Sequence, residues 1–151
     1  MAVYKIVTVP DPVLRQKAQK VEKINDGVLR VLDNMRDTLY AADGLGLAAP
    51  QIGVSKRIIV IDPGDQLIEM INPQIIYREG EQTAREGCLS VPDLVGWCKR
   101  SQKVRVKGLN RNGEEIEMEA TDLLARAFQH EIDHLDGILF PDKAIQTRKE
   151  K

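Results

Sequence analysis

The spacing of apolar residues predicts a helix between residues 25 and 44, "NDGVLRVLDNMRDTLYAADG". Apolar residues recur there every three or four positions, which places them on one helical face. The residues on this face are Val28, Leu32, Met35 and Leu39. Asn25 or Asp26 can cap the start of the helix and Gly44 can end it. The sequence therefore predicts one amphipathic helix in the N-terminal part of the chain.

Short apolar runs in the middle of the chain predict strands. "KRIIVID", closed by Pro63-Gly64, has the composition of a buried strand, and "LIEMIN" and "IIYRE" predict two further short strands. "KVRVKGLNRNGEEIEMEA" alternates on both sides of Asn112-Gly113, which predicts a hairpin. A last helix begins near Thr121-Asp122 and runs through "LLARAFQHEIDHLD" to Gly137. Antiparallel strands between two helices indicate an α+β fold rather than a doubly wound sheet.

Composition limits the classes of protein that this chain can belong to. Its 151 residues suit one domain, residues 1–151, with a charged tail from about residue 146 to 151 that we expect to fray. The 22 basic and 23 acidic residues nearly cancel, which argues against direct nucleic-acid binding. No apolar run approaches about 18 residues, so we expect no membrane span. With two cysteines and no signal-peptide pattern, the expected location is the cytoplasm.

The last predicted helix carries both histidines of the chain, His130 and His134. Residues four apart share a helical face, so both imidazoles can bind one metal ion, and Glu131 is placed to accept a proton from a water molecule there. The alternative is a charged helix face with incidental histidines. Asp133 and Asp136 are typical solvated residues, although one of them could orient an imidazole.

Two histidines do not complete a catalytic metal site, which usually has three protein ligands. No histidine follows His134, and the sole downstream glutamate, Glu150, lies in the tail that we expect to fray. The third ligand must therefore come from upstream. Cys88 in "REGCLSVPD" lies next to Gly87, where a thiolate could reach the ion. The alternative is a small buried apolar side chain, which is the commoner role of an unpaired cysteine and the one expected for Cys98.

A loop of small residues, "DGLGLAAPQIG", runs from Asp43 to Gly53. Its glycines and alanines would let the backbone of a ligand approach the backbone of the protein, although a tight connection between elements would also explain Gly44. Gln51 follows an apolar stretch, where its side-chain amide could donate a hydrogen bond to an oxyanion. The loop is therefore a candidate part of a catalytic site.

Three of these stretches together resemble the peptide deformylase family. They are "GLGLAAPQ" at residues 44–51, "EGCLS" at residues 86–90 and "QHEIDH" at residues 129–134, and the early "PDPVLR" is also similar. Deformylases remove the formyl group from the N-terminal formyl-methionine of new proteins. The resemblance implies an α+β fold in which antiparallel sheets surround the metal-binding helix near the C-terminus.

The resemblance also assigns roles to individual residues. Glu131 would be the general acid and base, and Gln51 and the backbone N–H of Leu89 would hold the formyl oxygen. One ferrous ion per chain is implied, with zinc, nickel or cobalt able to replace it. Its ligands would be Cys88, His130 and His134.

The implied partners are formyl-methionyl nascent peptides and, transiently, the ribosome. The peptide would lie extended along the Gly46 and Gly87 backbones, like an added strand. The apolar positions that could line a slot for methionine are Leu45, Leu123 and Ala127. Arg126 and Val95 depart from residues common in the family, so the side-chain preference can differ. The stretch after "PDKAIQ" is shorter than the ribosome-docking helix of many members.

Two other functions remain open on the sequence. A metallopeptidase shares the histidine helix, but its usual downstream ligand is missing here. A metal-stabilised binding module would leave Glu131 and Gln51 without a task, and its fold would depend on the metal. Formate release, internal peptide cleavage and folding without metal distinguish the three hypotheses.

Overall fold

The computed structural model describes residues 3–150 and has the predicted α+β architecture, with antiparallel sheets and few helices. The helices are α1 (Asp26–Ala42), α2 (Asp122–Leu135) and the one-turn α3 (Phe140–Lys143). The strands are β1 (Gly46–Ala48), β2 (Ile58–Ile61), β3 (Ile68–Glu79), β4 (Gln82–Cys88), β5 (Val91–Arg100), β6 (Lys103–Leu109), β7 (Glu115–Thr121) and β8 (Ala144–Lys149). Two 3₁₀ turns, Pro12–Arg15 and Ala49–Ile52, complete the elements.

Five strands form the larger sheet in the order β1-β2-β3-β6-β7, and all neighbours are antiparallel. The buried strand predicted in "KRIIVID" is β2. The prediction of two separate strands in residues 67–79 was wrong, because β3 continues through Pro73 by means of a register shift. Asn72 adopts a positive φ of 54° there, and its side chain bonds both the N–H and the carbonyl of Val21 at 2.9 Å. These bonds stabilise the irregularity that joins the two runs.

The predicted hairpin is confirmed as β6 and β7, which pair from Lys103↔Thr121 to Leu109↔Glu115. The connection covers residues 110–114, and Gly113 supplies the positive φ at 79°. The Asn110 side chain accepts hydrogen bonds from the backbone N–H groups of Asn112 and Glu114. The loop is therefore longer than a two-residue turn.

The smaller sheet has the order β4-β5-β8. The expectation that residues 146–151 fray was wrong for residues 146–149, which belong to β8 and pair with β5. The Arg148 guanidinium lies 5.4 Å from the centre of the Trp97 ring, and the Glu150 N–H donates to the Asp93 carbonyl. These contacts hold the tail on the sheet, and Lys151 lies outside the described residues.

Helix α1 begins where the sequence predicts but ends one residue earlier. Asn25 is the N-cap, and its side chain accepts a hydrogen bond from the Val28 N–H at 3.0 Å. The left-handed residue that ends the helix is Asp43, with φ of 54°, and not the predicted Gly44. The four predicted apolar residues are all buried and pack against β2 in one core cluster.

Helix α2 begins as predicted after Thr121, and it ends at Leu135, two residues before the predicted end at Gly137. Its apolar face packs on the larger sheet through Phe128, Ile132 and Leu135. Gly137 has a φ of 74°, and a Cβ added there would lie 2.5 Å from the Arg15 carbonyl oxygen, so only glycine fits. The packing fixes the helix so that its other face is directed at β4.

The structure also bears on the two cysteines and on the expected absence of a membrane span. Cys98 is fully buried in the core beside Phe140, and both cysteines are unpaired. None of the helices in residues 3–150 has both the length and the apolar character needed to cross a membrane.

Candidate active site

A cleft of about 190 Å³ lies between the two sheets, where α2 faces their edge strands. Among residues 3–150, strand β1 pairs only with β2 and strand β4 pairs only with β5, so each presents an unpaired edge. Every residue that the sequence places in the site lines this cleft except His134, which is buried behind it. The predicted residues that line it are Leu45, Gly46, Gln51, Gly87, Cys88, Leu89, Leu123, Ala127, His130 and Glu131.

The three predicted metal ligands converge at the inner end of the cleft. The helical spacing of α2 brings the imidazoles together with ring centres 5.1 Å apart, and Cys88 meets them from the end of β4. The Cys88 Sγ lies 3.3 Å from the His134 Nε2, and the ligand atoms of all three residues lie within 4.8 Å of one another. One thiolate and two imidazoles suit a borderline-soft divalent ion.

A carboxylate orients the first imidazole. The His130 Nδ1 lies 2.9 Å from the Glu86 Oε1, so Nδ1 carries the proton and Nε2 is left for a metal. Arg100 donates two hydrogen bonds of 2.9 Å to Glu86 and one of 2.6 Å to Asp133. Burial raises the pKa of Glu86, but the bonds from Arg100 and His130 outweigh it and lower the pKa to about 2.

The sequence did not predict these roles of Glu86 and Arg100. A signal existed for Glu86, because a residue two positions before Cys88 in a strand shares its face. Arg100 had no local signal. Asp133 and Asp136 were the two aspartates considered for orienting an imidazole. Asp133 contacts Arg100 instead, and Asp136 pairs with Arg57 at 2.9 Å.

The two imidazoles differ in their electrostatic surroundings. Burial and the charge of His130 lower the pKa of His134 to about 3, which keeps it neutral as a ligand must be. Burial also lowers the pKa of His130, but Cys88 and Glu86 outweigh burial and raise it to about 10. A metal ion and a proton compete for that ring, so metal binding should release a proton.

Glu131 lies in the wall of the cleft with 5% of its surface exposed. Its Oε1 is buried and has no hydrogen-bond partner within residues 3–150. Burial raises the pKa of Glu131 to about 7, although the charges of His130 and Arg100 oppose it. A carboxyl group with such a pKa can accept a proton and return it near neutral pH.

Gln51 is held so that its amide nitrogen faces the metal ligands. Its Oε1 accepts a hydrogen bond from the Ala48 N–H at 2.9 Å, and its Nε2 donates to the Ser90 Oγ at 3.1 Å. The same Nε2 lies 3.7 Å from the Cys88 Sγ. Leu89 follows Cys88 directly and also lines the cleft. Both predicted donors are therefore next to the thiol.

The residues predicted to bind substrate divide into backbone and apolar positions. Gly46 and Gly87 lie on the unpaired edges of β1 and β4. The apolar residues of the cleft include Leu45, Leu123 and Ala127. Arg126 also lines the cleft, and its guanidinium donates to the Gln82 Oε1 at 2.7 Å.

Comparison with known proteins agrees with this geometry. The sequence model described as polypeptide deformylase matches residues 3–150. The peptide deformylase of Syntrophomonas wolfei is 64% identical over the whole chain and 99% of its own length. The crystal structure of peptide deformylase from Thermotoga maritima superposes with a TM-score of 0.94 at 40% identity, covering 97% of this chain and all of that one.

A second solved structure gives the same result. The Legionella pneumophila peptide deformylase has a TM-score of 0.91 and 45% identity over 94% of this chain and 86% of that chain. Both solved structures therefore share the fold of nearly the whole chain. The chain belongs to the polypeptide deformylase family of hydrolases, whose members remove the N-terminal formyl group from nascent polypeptides.

Proposed function

We propose that this chain hydrolyses the formyl amide of formyl-methionyl nascent peptides in the cleft between its two sheets. The observation that carries the proposal is the meeting of a thiol and two imidazoles within 4.8 Å, beside a buried carboxyl group. The sequence separates Cys88 from His134 by 46 positions, and only the fold brings them together. Such a constellation has the parts that metal-assisted amide hydrolysis requires.

Cys88, His130 and His134 would hold one divalent ion per chain, and we infer ferrous iron, with zinc, nickel or cobalt able to replace it. The mixed sulfur and nitrogen ligands support a softer ion than magnesium or calcium. When bound, the ion supplies Lewis acidity, which lowers the pKa of water to about 7. Glu86 would keep the His130 ring turned toward the ion through its 2.9 Å contact with Nδ1.

Glu131 would move the proton. Its pKa of about 7 lets the carboxylate accept a proton from the attacking water and deliver it to the nitrogen of the departing amine. Its Oε1 makes no hydrogen bond to any part of residues 3–150, so the protein does not hold the proton there through another group. The amine needs that proton because an amide nitrogen is otherwise a poor leaving group.

Gln51 and the Leu89 N–H would stabilise the charge on the formyl oxygen. The hydrogen bonds to Ala48 and Ser90 fix the Gln51 amide before substrate arrives, so little reorganisation is needed. Loss of one such donor typically lowers the rate by about 10²- to 10³-fold.

The peptide would bind as an extra strand between the unpaired edges of β1 and β4. Gly46 and Gly87 leave room for its backbone, and Leu45, Leu123 and Ala127 would contact the methionine side chain. A formylated terminus carries no charge, so the site needs no acidic group for an ammonium. We further infer one catalytic domain that acts in the cytoplasm and contacts the ribosome transiently, where formylated chains emerge.

The deciding experiment incubates the metal-loaded protein with formyl-Met-Ala-Ser and with a longer peptide whose N-terminus is blocked by acetylation. We expect formate from the first peptide and no internal cleavage of the second. Internal cleavage without formate release would instead support a metallopeptidase.

A further inference from the structure

We propose that Arg85 makes this enzyme favour formylated peptides with an acidic side chain directly after methionine. The inference rests on the proposed binding of the peptide along β4 and adds a substrate class to it.

The burial of β4 assigns its side chains to two faces. Residues with even numbers from 82 to 88 are buried or half-buried, whereas Thr83, Arg85 and Gly87 are exposed. Glu86 and Cys88 therefore point inward to α2, and Arg85 points outward on the same face as Gly87. Arg85 nevertheless lines the cleft, because β4 is an edge strand.

The side chains of a peptide that pairs with this edge must point alternately inward and outward, as those of β4 do. The methionine side chain has to point inward, where Leu123 and Ala127 of α2 lie. The side chain that follows methionine then points outward, to the face that Arg85 occupies. The third side chain points inward again, toward Arg126, which Gln82 already holds.

The distances along the strand are compatible with this contact. Arg85 is three residues from Cys88, which is at most about 10 Å along an extended strand, and the register of β4 shifts between Glu86 and Cys88. The Cα of the second peptide residue lies roughly 6 Å from the formyl carbon, because successive Cα atoms are about 3.8 Å apart. The arginine side chain is long enough to bridge the distance between these two positions along the strand.

The charges on the outer face indicate the preferred chemistry. The Arg85 side chain is 52% exposed and donates to the Glu150 Oε1 at 2.5 Å. Glu150 also accepts from Arg148 at 2.6 Å, so it is shared between two guanidinium groups. The two carboxylates that line the cleft, Glu86 and Glu131, belong to its inner side. A peptide carboxylate can therefore take the place of Glu150 on Arg85, because Glu150 keeps Arg148 as a second partner.

The test compares kcat/KM for formyl-Met-Asp-Ser and formyl-Met-Asn-Ser, which differ in charge but hardly in shape. We expect the wild-type protein to favour the aspartate peptide by roughly two- to fivefold, the range of an exposed ion pair. The preference should lie mainly in KM, because the contact is equal before and during the reaction. In Arg85→Gln the two peptides should become equivalent, and high salt should have the same effect.

Two further variants separate a local contact from a general field. Glu150→Gln should increase the preference, because it removes the internal competitor. Lys99→Gln removes one positive charge from an exposed side chain that lies outside the cleft lining and pairs with Glu81 rather than Glu150, and should keep the preference. An unchanged ratio in Arg85→Gln, or an equal loss in Lys99→Gln, would overturn the assignment. Absence of formate from both peptides would instead contradict the proposed function.

Discussion

Gly46 leaves the space that the Glu131 carboxylate occupies. A Cβ added at Gly46 would lie 2.8 Å from the Glu131 Oε2 and 3.1 Å from its Cγ. We expect Gly46→Ala to lower kcat by at least about tenfold, because a carboxylate moved by a fraction of an ångström transfers protons poorly. Steady-state formate release measures the loss, and unchanged kcat would contradict this account of the contact.

The proton role of Glu131 is tested by removing its charge alone. Glu131→Gln should keep the metal, because Glu131 is not among the three proposed ligands. The rate should fall by about 10²- to 10⁴-fold, the usual contribution of a positioned acid and base. Metal analysis and formate release on the same sample check both statements, and full activity would refute the role.

The sequence predicts single residues well where one element places them. The i, i+4 spacing was sufficient for His130 and His134, since a helix fixes their relation. From its own neighbourhood alone, Cys88 fits the commoner role of a core residue better, and only the resemblance selected it as a metal ligand. Arg100 was not predicted, because its contacts with Glu86 and Asp133 depend on how β5 packs against β4 and α2.

At the scale of elements, Arg100 links strands β4 and β5 to helix α2. Its side chain is 2% exposed and pairs with Glu86 of β4 and Asp133 of α2. Arg100→Met would leave two carboxylates without their main cation, one of them buried, and we expect a loss of about 3 to 5 kcal/mol in the free energy of unfolding. Urea denaturation of metal-free protein measures this loss separately from metal binding.

Arg105 of strand β6, in the larger sheet, provides the matched control. It pairs with Glu119 at 3.2 Å, but both side chains are about half exposed. Arg105→Met should change stability by about 1 kcal/mol or less, because water screens an exposed pair. Equal losses in the two variants would mean that burial of the Arg100 network is not what stabilises the packing.

Elements with a strong local pattern were predicted, and those that depend on a partner were not. The apolar faces of α1 and α2 and the hairpin of β6 and β7 follow from periodicity. Strand β8 does not, because its polar residues gain a strand conformation only by pairing with β5. The continuity of β3 was not predicted for a similar reason. The register shift at Asn72 depends on the hydrogen bonds between Asn72 and Val21.

At the scale of the whole molecule, the buried charges make stability depend on pH. The pKa of Glu86 is about 2 in the folded protein and 4.5 as the ordinary value. Its contribution is therefore complete above pH 4.5 and is lost as the pH falls toward 2, a change of about 3 kcal/mol. Between pH 6 and pH 2, the free energy of unfolding should fall less steeply with pH for Glu86→Gln than for the wild type. Equal slopes in the two proteins would contradict the low pKa of Glu86.

The central claim is that Cys88, His130 and His134 hold the ion on which deformylation depends. The most direct measurement strips the protein of metal and follows formate release from formyl-Met-Ala-Ser while ferrous iron is added without oxygen. We expect activity to rise and saturate at one ion per chain, and Cys88→Ala to show no such saturation. Activity that survives stripping, or a Cys88→Ala variant that titrates like the wild type, would contradict the claim.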